Sequence, residues 1–252
     1  MYSTDLTEIQ WQFIKNTLDL GDIKRKYDLK IIWNAINYLV KTGCQWRMLP
    51  QDFPKWQLVY YYYCKWSNQE YFDLLLSKLR EKVRLNRGQN KEPSLGIMDS
   101  QSVKWGNNRS LNSFDGNKKV KGIKRHIIVD KNGFLLAIMV TIASIHDSKA
   151  TELLMKTRYY FLCPIKVILA DGGYRGEIIE NVKNKFGYVI QVVMRSNSKK
   201  NTFNPIHKRW IVERTFAWFD NDRRLARNYE LLFENAENMV KIAAIKLLLN
   251  KI

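Results

Sequence analysis

Apolar and polar residues alternate with a helical period over roughly the first 90 positions. The first apolar stripe consists of Ile9, Phe13, Ile14 and Leu18. Thr7, three residues before Gln10, can form a capping box at the start of this helix. Asp28 can cap a second helix, and Gly43 is placed to end it. Two further helices are predicted, over Lys55–Ser67 and Asp73–Arg87.

The period changes after Arg87–Pro93, a polar segment that contains glycine and proline. Short strands are predicted over Ser94–Asp99, Arg125–Val129, Phe134–Thr141, Lys166–Ala170 and Tyr188–Met194. Helices are predicted over Ser148–Arg158, Gly176–Phe186, Lys208–Arg227 and Asn235–Ile252. The first three strands are consecutive and the later ones alternate with helices, which is the order of a ribonuclease H-like core. We expect a helical domain over residues 1–90 and, over residues 91–252, an α/β domain with a mixed five-stranded sheet flanked by helices.

Composition limits the classes of protein that fit. Hydrophobic residues make up 46% of the chain, which excludes a disordered polybasic tail. Lysine and arginine total 42 against 24 acidic residues, a formal net charge of +18. Such a surplus favours a polyanionic partner, first of all nucleic acid, although an unrelated cationic enzyme remains an alternative.

Other features indicate a cytoplasmic protein without a membrane span. The longest uninterrupted apolar run, Phe134–Val140, is far shorter than the ~20 residues that span a bilayer. Cys44, Cys64 and Cys163 have neither zinc-site nor disulfide-framework spacing. No phosphate-binding glycine loop or dinucleotide fingerprint occurs, so we expect no nucleotide cofactor.

Two short apolar runs each end on an aspartate, Asp99 and Asp171, and Glu213 follows on a basic, aromatic helix. Each alone has an ordinary explanation. An aspartate after a strand commonly forms a turn or caps a helix, and Glu213 with Arg209 could be an i, i+4 surface pair. Together, in this order and in a basic chain, the three carboxylates favour a site that holds two divalent metals about 4 Å apart for phosphoryl transfer.

Three segments carry a family resemblance: Met98–Lys104, Asp171–Gly176 and Arg209–Trp218. They resemble the three catalytic blocks of bacterial insertion-sequence transposases, and most closely those of the insertion sequence 5 family. Thr42–Pro50 resembles part of the helical domain that precedes the catalytic core in that family, and Lys121–Ile127 resembles its second-strand block. The resemblance covers nearly the whole chain.

The resemblance implies a DDE transposase with Asp99, Asp171 and Glu213 as its metal-binding triad. Such enzymes cleave DNA at the ends of the element and use the released 3′-hydroxyl to attack target DNA. They use two Mg²⁺ ions, with Mn²⁺ as a substitute, and no covalent protein intermediate. The implied partners are double-stranded DNA, at terminal repeats and target, and further copies of the chain in a homodimer or higher oligomer. The helical domain would serve end recognition and assembly.

Basic residues near these blocks are candidates for DNA contact. They are Lys104, Lys118, Lys119, Lys121, Lys124, Arg125, Arg175, Arg209, Arg214 and Arg224. Arg209 would orient a phosphate, and the run from Lys118 to Arg125 would form a cationic rim, although a merely solvated loop is the alternative. The chain departs from the family's glutamate signature at Ile206 and Asp220, where tyrosine and lysine are usual.

Two rival functions remain open at this point. A nuclease or resolvase of the same fold would cut DNA without joining it. A non-catalytic DNA-binding protein, such as a decayed copy that represses related elements, would bind terminal repeats without cutting; Asp220 is the residue that keeps this alternative open.

Overall fold

The computed structural model describes residues 2–21, 23–106, 111–157, 162, 164–174, 176–193, 208 and 210–252. The chain forms two compact units. One combines residues 1–91 with 219–227 and 238–252, and the other combines residues 92–218 with 228–237. In the described ranges, no helix is both long and apolar enough to cross a bilayer.

The first unit is helical. It contains α1 (Glu8–Thr17), α2 (Leu29–Thr42), α3 (Trp56–Asn68) and α4 (Tyr71–Leu85), with a 3₁₀ turn at Trp46–Met48. Thr7 and Gln10 form both hydrogen bonds of the predicted capping box, Asp28 caps α2, and Gly43 ends it with φ 71°. The four predicted helices are confirmed to within two residues at each end.

The second unit is built on a mixed sheet. Its strands are β1 (Leu95–Lys104), β2 (Ser113–Asp115), β3 (Val120–Val129), β4 (Leu135–Ile142), β5 (Val167–Ala170) and β6 (Val189–Val192). Strand β3 pairs antiparallel with β1, β2 and β4, whereas β5 is parallel to both β1 and β6. This topology confirms the predicted ribonuclease H-like order, with the short β2 as an additional strand.

Five further helices follow along the chain: α5 (Asp147–Thr157), α6 (Ile178–Phe186), α7 (Trp210–Asp220), α8 (Arg223–Ala226) and α9 (Phe233–Leu249). Of these, α5, α6 and the first residues of α9 pack against the sheet. Buried side chains of α5 and α6, such as Leu154 and Val182, pack against Met98 and Ile168 of the sheet. Val103 and Val140 pack against Ala236 of α9 in a separate cluster. Both clusters stabilise the sheet by removing apolar area from water.

Three predicted elements needed correction. Strand β1 continues five residues beyond Asp99 because β3 pairs with it as far as Lys104. Residues 120–124, predicted to be loop, are the first half of β3 for the same reason. The predicted single helix over 208–227 is broken: α7 ends at Asp220, and Asp222, with extended backbone, precedes α8.

The two segments 219–227 and 238–252 also differ from the sequence-based division, which places all residues after 90 in one domain. Their contacts are with the helical unit. The Lys241 ammonium donates to Asp73 at 2.6 Å, and the Asn238 amide donates to the Ser67 hydroxyl at 2.7 Å. The pattern of apolar residues carries no information about such long-range polar contacts.

Candidate metal-binding site

Asp99 lies on β1, and Asp171 directly follows β5, the strand that pairs with β1. The parallel ladder between the two strands pairs Ile97 with Leu169; Asp99 is two residues further along β1, and Asp171 is the first residue after the end of β5. Side chains alternate between the faces of a strand, so Asp99 projects from the face that carries Ile97. Both aspartates are half-buried. The strand register thus leads the two residues toward one edge of the sheet, with Asp99 in the middle of its strand and not at its end.

Backbone amides orient both carboxylates. The amide of Ser100 donates to Asp99 Oδ1 at 2.7 Å. The amide of Gly173 donates to Asp171 Oδ1 at 2.9 Å, in a 3₁₀ turn over Gly172–Tyr174. A Cβ at position 173 would lie 3.1 Å from that oxygen, so glycine gives the turn its close approach to the carboxylate.

Tyr174, the last residue of the same 3₁₀ turn, is 1% exposed. Burial raises the pKa of its hydroxyl well above the usual value, and the charges of Asp147, Asp99 and Asp171 add to this effect. For Asp147 the sequence favours a turn or cap role, with an added carboxylate near the site as the alternative, and the structure makes it the first residue of α5.

Glu213 lies in the first turn of α7 and is exposed. The helix is attached to the turn between β3 and β4. Arg214 donates to the carbonyl oxygen of Asn132 at 2.9 Å, and the Thr215 hydroxyl donates to the carbonyl oxygen of Gly133 at 3.0 Å. This attachment fixes the helix that carries Glu213.

The donor groups suit a hard divalent cation. Asp99 and Asp171 offer carboxylate oxygens from neighbouring strands, and oxygen is the ligand that Mg²⁺ or Mn²⁺ prefers. Within the described ranges, no three His, Cys, Asp or Glu side chains are grouped closely enough to hold a metal ion. Two of the predicted ligands therefore follow from neighbouring strands, whereas Glu213 does not form a three-residue cluster with them.

Three of the basic residues expected to contact DNA are buried inside the protein. Lys124 and Arg125 are 4% and 2% exposed on β3, and Arg224 is 7% exposed and donates to the carbonyl oxygen of Cys44. The expectation is corrected for these three because a buried side chain cannot reach a phosphate. Arg214 is half-buried, with its guanidinium 4.6 and 4.5 Å from the ring centroids of Trp210 and Trp218, and it stays a candidate.

The remaining candidates differ in their surroundings. Lys104, Lys119 and Lys121 are exposed on the second unit. Lys118 is also exposed along its length, but its ammonium donates to the carbonyl oxygen of Ser100 at 2.7 Å. Arg175 and Arg209 lie outside the described residues.

The arrangement also contains polar residues near Asp99 to which sequence reasoning gave no role, above all Ser100 and Asp115. Asp115 is buried; its carboxylate accepts from the Ser102 hydroxyl at 2.6 Å and lies 3.2 Å from Lys124 Nζ. Once β1 and β3 are known to be paired over their full length, alternation places Ser100, Ser102 and Lys124 on one face of the sheet. The sequence alone did not show this pairing of β1 with β3, so it did not show that these side chains share a face.

Comparisons with known families agree with this topology. Residues 90–249 match the family described as "Transposase DDE domain", and residues 6–76 match the family described as "Putative transposase of IS4/5 family". The "Putative transposase for insertion sequence element IS402" of Burkholderia cepacia is 32% identical over 118 residues. That alignment covers 43% of this chain and 54% of the relative, so the chain spans about half the length of the curated relative it matches.

Two solved structures are similar at low identity. The piggyBac transposase synaptic complex with hairpin DNA is 11% identical, with a TM-score of 0.44 over 98% of this chain and 73% of that one. The Mos1 transposase paired-end complex with the left transposon end is 8% identical, with a TM-score of 0.27 over 71% and 64%. Since both TM-scores are below 0.5, the fold assignment rests on the strand topology.

Proposed function

This chain belongs to the transposase DDE domain family, and from that premise we propose that it is a DNA transposase of an insertion sequence. It cleaves the ends of the element and joins their 3′-hydroxyl groups to target DNA. The observation that supports the proposal is the parallel register of β1 and β5, in which Ile97 pairs with Leu169, two residues before Asp99 and Asp171 respectively.

In this mechanism Asp99 and Asp171 would hold two divalent cations, Mg²⁺ or Mn²⁺, and Glu213 would supply the third carboxylate. Such cations, when bound, activate the attacking oxygen and stabilise the departing one. The amides of Ser100 and Gly173 keep the two aspartates in place. Fixed ligands reduce the reorganisation needed during the reaction.

The chemistry consists of two displacements at phosphorus. In the first, water attacks the phosphate at the end of the element, and the bond from phosphorus to the 3′ oxygen breaks to release a 3′-hydroxyl. In the second, that hydroxyl attacks a phosphate of the target strand, and a target 3′-hydroxyl leaves. No bond to the protein forms in either step.

Exposed basic residues would bind the DNA backbone. Because Lys124, Arg125 and Arg224 are buried, the described candidates are Lys104, Lys118, Lys119, Lys121 and Arg214. The formal charge of +18 supports a polyanionic partner. Neutralising phosphates releases counterions, so binding would weaken as salt rises.

We assign terminal-repeat recognition and assembly into a dimer or higher oligomer to the helical unit. The reaction requires access to genomic DNA, so the proposed location is the cytoplasm of a bacterial cell.

The proposal is tested with the full chain, Mg²⁺ and DNA that carries the element's end and its flank. Unchanged protein should nick the DNA at the end and form joined products with a target duplex, whereas Asp171→Asn should bind the same DNA without cutting it. Nicking without joined products would indicate a nuclease or resolvase. Firm binding without cutting by either protein would favour a non-catalytic repressor, and normal cutting by Asp171→Asn would refute the assignment of that ligand.

A further inference from the structure

Lys124 is a cation in the interior of the protein. Although its basic stretch suggested DNA contact, the residue is 4% exposed. Its ammonium lies 3.2 Å from Asp115 Oδ2 and 3.2 Å from Asp147 Oδ1, and it donates to the carbonyl oxygen of Ile145 at 3.1 Å. A charge is kept in such a place only when partners compensate it, and here two carboxylates and a carbonyl oxygen do so.

This group is connected to Asp99 through Ser100. The Ser100 hydroxyl donates to Asp147 Oδ1 at 3.0 Å, while its carbonyl oxygen accepts from the Lys118 ammonium at 2.7 Å. The amide of the same residue donates to Asp99 Oδ1 at 2.7 Å. Ser100 is thus held by its side chain and its carbonyl group, and its amide orients the neighbouring carboxylate.

Lys124 is the ammonium group that joins the two carboxylates. It lies 3.2 Å from both Asp115 Oδ2 and Asp147 Oδ1, whereas the Lys118 ammonium contacts the carbonyl and hydroxyl oxygens of Ser100. His126 also packs here, with Nδ1 3.9 Å from Asp147 Oδ1 and Nε2 3.0 Å from the Thr141 hydroxyl. Burial lowers the pKa of His126 to about 4, so its ring is neutral at physiological pH. Removing the Lys124 charge would therefore take away the cation that lies between Asp115 and Asp147.

We propose that Lys124 is a positioning residue for Asp99: it fixes Asp147, Asp147 holds Ser100, and the amide of Ser100 orients the Asp99 carboxylate. The inference rests on the proposed function, because Asp99 is a metal ligand only in that account. Groups that orient a ligand without touching the metal typically change metal affinity by about 10- to 100-fold when they are removed.

The test is the affinity of the full chain for Mn²⁺ alone, measured without DNA from the electron paramagnetic resonance signal of free Mn²⁺. Lys124→Met should weaken Mn²⁺ binding by roughly tenfold, while its affinity for DNA in metal-free buffer should stay unchanged because the side chain is buried. Lys121→Met, on the exposed part of the same strand, is the matched variant and should show the reverse: weaker DNA binding and unchanged Mn²⁺ affinity.

A second variant decides the question if Lys124→Met does not fold. Ser100→Ala breaks the connection to Asp147 without changing any charge, and it too should weaken Mn²⁺ binding. If both variants bind Mn²⁺ as tightly as the unchanged protein, the positioning role is wrong and the proposed function is untouched. If the unchanged protein binds no Mn²⁺, the proposed metal site and this inference both fail.

Discussion

Thr215 donates a hydrogen bond from its hydroxyl group to the carbonyl oxygen of Gly133 at 3.0 Å. Gly133 has φ 85°, a conformation that residues with a side chain rarely adopt, and a Cβ there would lie 2.7 Å from the Thr215 hydroxyl oxygen. At this point the helix that carries Glu213 therefore packs closely against the turn between β3 and β4.

Gly133→Ala should destabilise the protein by about 1–3 kcal/mol, because the added methyl group meets both an unfavourable backbone conformation and a close neighbour. Chemical denaturation measures the change. Lys131→Ala, an exposed position in the same turn, is the control and should have little effect. Equal destabilisation by the two changes would show that the contact with Thr215 is unimportant.

The stability of the protein should depend on His126 in mildly acidic solution. Burial lowers its pKa to about 4 in the folded state, whereas an unfolded imidazole has a pKa of about 6.5. The unfolded state therefore binds more protons between these values, and the stabilising contribution is lost as the pH falls from about 6.5 through about 4.

Urea denaturation at several pH values tests this dependence. The His126→Gln variant should lose less stability than the unchanged protein over that window, and the exposed His146→Gln should behave like the unchanged protein. If the free energy of unfolding of His126→Gln falls with pH as steeply as that of the unchanged protein, the ring is protonated as readily in the folded state as in the unfolded one.

The salt dependence of DNA binding should separate exposed from buried cations. Lys121→Ala should weaken binding to DNA of any sequence and reduce the slope of log K against log salt by about one. Fluorescence anisotropy over a salt series gives the slope. Lys183→Ala, an exposed lysine on α6, serves as the comparison; a slope unaffected by Lys121→Ala would remove this residue from the DNA surface.

A fragment of residues 1–91 should not fold cooperatively. In the full chain the helical unit also contains residues 219–227 and 238–252, with Lys241 bound to Asp73 and the Gln10 amide bound to the carbonyl oxygen of Leu249. Removing these partners exposes apolar area and leaves buried polar groups without compensation. A sharp thermal transition and a well-dispersed amide spectrum of the fragment would contradict this expectation.

Local signals in the sequence were sufficient for most elements of the fold. The capping box at Thr7, the left-handed glycine at Gly43 and the apolar runs before Asp99 and Asp171 each depend on a few neighbouring residues, so they could be read directly. The order of elements along the chain, with three consecutive strands followed by strands that alternate with helices, indicated the ribonuclease H-like core.

Features that depend on pairing between distant residues could not be read in this way. The polar residues after Asp99 have no strand pattern of their own, and β1 continues through them because β3 supplies the hydrogen bonds. Lys124 and Arg125 look like surface cations in the sequence, but the same pairing places them inside the protein. The charges that compensate Lys124 come from Asp115 and Asp147, on other elements.

In the proposed mechanism three carboxylates perform metal-dependent DNA cleavage, and Glu213 is the member that the structure does not group with the other two. The most direct test is Mg²⁺-dependent nicking of element-end DNA by Glu213→Gln, beside Glu180→Gln, which changes a glutamate likewise exposed in the first turn of a helix. We expect Glu213→Gln to bind this DNA without nicking it, whereas Glu180→Gln should nick it normally. Normal nicking by Glu213→Gln would contradict the role of Glu213 as the third carboxylate.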